Sequence, residues 1–213
     1  LATTGIAAAQ QQHAPQVPPP AAQSPQAAED GRLNAFLDAA FDAQVARNPQ
    51  FLTALGSTER YGELNDYTDS FRQESLRIAQ EQLARMRAEF DPARLTPAGR
   101  LSYRLAEEQV EEDVRNFQWR WHSYEADVTG SPAGDIPVFL INQHRVSSVG
   151  DAEAYISRLR EVERIMSEIA ANMRHQASLG IVPPKFNFEP VRADAQRVIA
   201  GAPFTEGADT PVF

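Results

Sequence analysis

Residues 148–186 read SVGDAEAYISRLREVERIMSEIAANMRHQASLGIVPPKF, and this stretch decides the fold. Ser148 is placed to cap a helix, with Asp151 and Glu153 at its positive end. Tyr155, Leu159, Val162, Met166, Ile169 and Met173 recur at steps of three and four, which puts them on one helical face. Arg158, Arg160, Glu161, Glu163 and Arg164 fill much of the remainder. Gly180 is suited to a left-handed stop, and Pro183-Pro184 cannot continue the helix. A single helix of roughly 25 residues cannot bury such a stripe alone, so other helices must wall it in.

Outward from that helix, the pattern repeats with different punctuation. Leu33, Phe36, Leu37, Ala40, Phe41 and Val45 predict a helix ended by Asn48-Pro49. Phe51 to Gly56 reads as a short apolar turn or helix stub. Thr68 or Asp69 caps a helix carrying Phe71, Leu76, Ala79, Leu83, Met86 and Phe90, broken at Asp91-Pro92. Thr96-Pro97 starts another, running to about His122. Val138-Phe139-Leu140-Ile141 is a short β-branched run read as an extended segment, and Val191 to Ala200 as a final short helix. The expectation is all-α: an irregular array of four long helices plus short ones, from residue 31 to 213. The two links near Asn48–Thr68 and Glu125–Val149 are long for an up-down bundle and are places where function gathers.

The ends carry a different signal. Residues 1–9 resemble the tail of a secretory signal, with Ala7 and Ala9 fitting an A-x-A cut before Gln10. That predicts a periplasmic or secreted protein. Residues 10–30 are Gln/Pro/Ala-rich, with little to bury, and read as a disordered leader. The chain has 213 residues, 42% of them hydrophobic, and 20 basic against 29 acidic groups for a net charge of −9. With no basic cluster a nucleic-acid footprint is not expected. No apolar run reaches the roughly 18 residues of a membrane span. The lack of cysteine removes disulfides and thiolate metal sites.

Chemistry is sparse at the level of motifs. His13, His122, His144 and His175 stand in separate segments, with no H-E-x-x-H among them. Glu107, Glu108, Glu111, Glu112 and Asp113 place carboxylates one turn apart, a spacing open to a dication or to a solvated face flanked by Arg104 and Arg115. Trp119-Arg120-Trp121-His122-Ser123-Tyr124 is the densest aromatic stretch, either a ligand-facing wall or the thick end of the core.

Five segments carry a resemblance. PQFLTALG at Pro49 to Gly56, INQ at Ile141 to Gln143, DAEAYISRL at Asp151 to Leu159, GIVPPKF at Gly180 to Phe186 and GAPFTEG at Gly201 to Gly207 resemble the N-terminal half of the bacterial family catalogued as domain of unknown function 885. The resemblance implies one half of a two-lobed, zincin-like helical architecture. The zinc-binding H-E-x-x-H-type motif would belong to a C-terminal half of the same protein, with a peptide as substrate. Zinc is thus expected in the full-length protein and none on this chain alone, and no catalytic residue is carried over. Within that reading Asn142, Gln143 and His144, with Tyr124 and Trp121 behind them, would hold the peptide backbone along a cleft wall. Whether the chain is an enzyme stays open. The alternative is a non-catalytic helical binding or scaffold module of the bacterial envelope.

Overall fold

The computed structural model describes residues 24–201 and 206–208. Seven α-helices occur among them: α1 (Pro25–Ala46), α2 (Pro49–Ala54), α3 (Asp69–Glu89), α4 (Pro97–Phe117), α5 (Pro132–Gln143), α6 (Val149–Ser178) and α7 (Phe188–Val198). Short 3-10 turns at Pro92–Arg94 and Lys185–Asn187 join α3 to α4 and α6 to α7. There is no β-strand among the described residues, and no helix is long and apolar enough to cross a membrane. The architecture is an irregular all-α array. Nothing in it shows two lobes.

Capping chemistry sets the boundaries. Ser148 accepts the amide of Asp151, Thr68 that of Phe71, and Thr96 that of Gly99, each at 3.1–3.2 Å. α6 ends at Ser178, and Gly180 adopts φ 77°, the left-handed stop its position calls for. Two elements depart from the pattern reading. α1 begins at Pro25, inside the segment read as leader, because Ser24 caps it and Asp30 reaches across to α4. The Asp30 carboxylate accepts the backbone N–H and the hydroxyl of Thr96, and a Cβ on Gly99 would overlap it. Residues 138–141 are not extended but helical. Ile136 and Leu140, one turn apart, are 3% and 1% exposed against Leu64, Ile165 and Ile169, and that packing outweighs the β-branched preference and the missing donor of Pro137.

Two apolar clusters form. Leu33, Leu83, Met86, Phe90, Leu95 and Tyr103 join α1, α3 and α4. Leu64, Ile136, Leu140, Ile165 and Ile169 join the α2–α3 link, α5 and α6.

The buried face of α6 is only partly the stripe that hydrophobic periodicity picks out: Ile169 is in the second cluster and Tyr155, Val162 and Met166 pack against it. Its deepest residues are Arg158, Ile165, Ile169, Asn172 and Gln176, whereas Leu159 and Met173 are exposed. The buried polar side chains on this face are donors to loop carbonyls. Arg158 donates to Glu63, Asn172 to Tyr67, and Gln176 to Trp121 and Ser123. In return Glu168 accepts the Tyr67 amide at 3.0 Å. The α2–α3 link and the segment that follows α4 are therefore both held by one helix.

Candidate functional site

Arg158 is wholly buried, and no carboxylate among the described residues touches it. Its Nε donates to the Glu63 carbonyl at 2.9 Å, one terminal nitrogen to Thr53 Oγ1 at 2.6 Å, and the other to His144 Nδ1 at 2.8 Å. The guanidinium also lies 4.9 Å from the Tyr61 ring centre and 5.0 Å from that of Phe139. Burial without an anion pulls its pKa down to about 10. Because arginine can only donate, His144 Nδ1 must accept, so the imidazole carries its proton on Nε2 and gives it to the Asp151 carbonyl at 2.9 Å. Tyr61 stacks on that imidazole with ring centres 4.1 Å apart, and Tyr155 meets it edge-on at 5.3 Å. Burial also holds the His144 pKa below the ordinary histidine value, with the adjacent Arg158 charge acting in the same direction and the bond to Asp151 opposing. One cluster thus ties α2, the α2–α3 link, α5 and α6 together.

Beside it, α5, α6 and α7 enclose an apolar groove of about 280 Å³, walled by Ile136, Leu140, Leu159, Val162, Met166 and Val198. Small-molecule sites commonly run from about 300 to 1,000 Å³, so this groove holds one or two apolar side chains rather than a cofactor. Pro137 has no N–H to offer the carbonyl of Ala133, and both residues line the groove. The Ser131 hydroxyl, just before α5, is buried and has no hydrogen-bond partner among the described residues. A second cavity of about 480 Å³ is lined by Arg47, Arg60, Glu63, Asp66, Arg164 and Glu168. Its charges largely cancel within the wall, through Arg60–Glu63 at 2.6 Å and Arg164–Glu168 at 2.7 Å.

The residues singled out in the sequence do not meet in one place. Trp121 is buried, 4.4 Å from the His175 ring, and its carbonyl is held by Gln176. His144 sits instead on Arg158. Gln176 and Arg158 are 18 positions apart on α6, about 27 Å at 1.5 Å per residue. Tyr124 is exposed near the Trp121 end. Asn142 and Gln143 are exposed at the end of α5. Gln143 continues the Ile136–Leu140 row by its i, i+3 spacing, and Asn142 does not. Both ring nitrogens of His144 are engaged internally, so as it stands neither can reach a ligand. Arg158, the centre of the cluster, was missed because a charged residue between apolar positions reads as solvent-facing.

The described residues do not fit a zinc site. No group of three or more His, Cys, Asp or Glu side chains among them could hold a metal ion. Glu107 and Glu111 do share a face, and what they hold is Arg87 of α3, with Arg115 pairing Glu108. No hydrolytic step through a metal follows from this geometry.

No curated protein and no solved structure matches the chain. One family model does, described as a bacterial protein of unknown function (DUF885), over residues 49–212. That span takes in 164 of the 213 residues and corrects the narrower reading of the chain as merely an N-terminal half. It begins at Pro49, where the first of the five resembling segments begins. On a match of that extent, beginning with α2 and running past α7, the chain belongs to the DUF885 family.

Proposed function

We propose that this domain binds peptides, seating one apolar side chain in the α5–α6–α7 groove. The observation that carries the reading is the apolar groove itself, in whose wall Pro137 withholds from the Ala133 carbonyl its usual i+4 donor. A peptide brings both complements: an apolar side chain for Ile136, Leu140, Val162 and Met166, and a main-chain N–H for the Ala133 carbonyl. Gln143, exposed on the same row of α5, can add a bidentate contact to the peptide backbone. This favours the binding-module alternative over peptide hydrolysis by the described residues themselves.

The test is a library of fluorescent nine-residue peptides, each with a single Leu or Phe anchor in a Ser/Gly background. Leu-anchored peptides should bind, and Leu159→Glu, at the groove rim, should weaken them by about tenfold or more, equal to about 1.4 kcal/mol. Leu159 is 38% exposed, so the circular dichroism of the variant should be unchanged. Peptide binding that is absent, or indifferent to Leu159→Glu, removes the proposal.

Export belongs to the same proposal. Residues 1–9 lie outside the described residues, and the reading rests on the Ala7–Ala9 pattern alone. Protein taken from its source should begin at Gln10 on N-terminal sequencing. An intact Leu1–Ala9 stretch on the mature protein would count against it.

A further inference from the structure

His144 is the C-cap of α5, and its Nε2–H holds the first turn of α6 through the Asp151 carbonyl. Its other nitrogen has one lone pair, and Arg158 uses it. A second proton has nowhere to go except that lone pair. Proton uptake would therefore replace a 2.8 Å hydrogen bond by two cations facing each other. The guanidinium cannot yield its proton first, because even at about 10 its pKa is far above neutrality.

No anion in the cluster can absorb the added charge. Glu63 presents its carbonyl to Arg158, while its carboxylate is held by Arg60. Asp151 presents its carbonyl to His144, while its carboxylate accepts the Ser147 N–H at 2.9 Å and hydroxyl at 2.8 Å. From the α2–α3 link, Tyr61 is a neutral phenol whose hydroxyl is engaged with the Arg145 backbone. Tyr155 of α6 is a second neutral phenol, and α2 and α5 contribute only Thr53 and Phe139. Arg145, next to His144 in sequence, has the wrong sign, and Glu161, three residues past Arg158, is paired with Arg164.

We propose that the His144–Arg158 contact is an acid-sensitive latch, closed with neutral imidazole and opened by its protonation, which loosens the C-terminal end of α5 from α6. The sign follows from the direction of the shift. His144 titrates lower in the folded chain than unfolded, so the unfolded chain takes up the proton first as pH falls. The latch contributes fully above about pH 6.5, the ordinary histidine value, and is lost as pH drops from there through the folded value. This stands whether or not the groove takes a peptide.

Thermal unfolding of the full chain between pH 7.5 and 5.0, alongside nitrogen-15 NMR of the histidine rings, tests it. The wild-type midpoint temperature should fall across that range. His144→Gln, whose amide can still bridge toward Arg158 and Asp151 but cannot titrate, should lose most of that fall, and His122→Gln and His175→Gln should keep it. If His144→Gln does not fold, the wild-type spectra decide alone. They should show an Nε2–H tautomer at pH 7.5 and a His144 midpoint below about 6.5. A fall of equal size in His144→Gln, an Nδ1–H tautomer, or a His144 midpoint at or above about 6.5 would overturn the latch.

Discussion

Arg158→Ala should cost about 3–5 kcal/mol of folding stability, the largest loss expected from any single truncation in α6. The substitution removes a fully buried side chain, leaves the buried His144 Nδ1 without its donor, and takes a donor from the Glu63 carbonyl. Thr53 suffers less, since its hydroxyl still donates to the Pro49 carbonyl at 3.0 Å. Arg158→Met should be milder than Arg158→Ala. It restores much of the bulk and contact with Phe139 while removing a charge that burial disfavours. Urea unfolding followed by circular dichroism separates the two. If both variants lose the same stability, the lost hydrogen bonds rather than the lost volume are what matters. If neither loses stability, Arg158 is not the centre of the packing. Domains of this kind have total stabilities of about 5–15 kcal/mol, so the alanine variant should be partly unfolded at room temperature if this protein lies near the lower end.

Ile165→Ala should lose about 2–5 kcal/mol by a different route. Ile165 is fully buried in the second cluster, against Leu64, Ile136, Leu140 and Ile169. Truncation leaves a cavity whose walls, on two helices and a loop, can close only in part. Ile156, on the same helix but 46% exposed, is the control: Ile156→Ala should stay within about 0.5 kcal/mol. Equal effects at the two positions would mean that α6 is not seated as described. Ile165 also lies beneath the α5–α6 seam, so Ile165→Ala should weaken peptide binding even under conditions where the variant is folded.

The sequence determined the helices that carry their own punctuation. Ser148, Thr68 and Thr96 can hydrogen-bond the freed amides of a first turn from within a few residues, and they do so. Gly180 is the residue for which a left-handed stop costs least, and the stop is there. The family resemblance was legible for a similar reason, because the segments that carried it are short and contiguous. What the tertiary structure alone decided is whatever depends on a distant partner. Residues 25–30 are helical because Asp30 can cap α4. Residues 138–141 are helical because Leu140 reaches the α6 core. The inner face of α6 is turned toward Arg158, Asn172 and Gln176 because carbonyls of two remote links need donors. Periodicity ranks a residue by its own cost of leaving water. For these polar side chains that cost is offset by hydrogen bonds to groups about 50 to 105 positions away, and no local pattern records them.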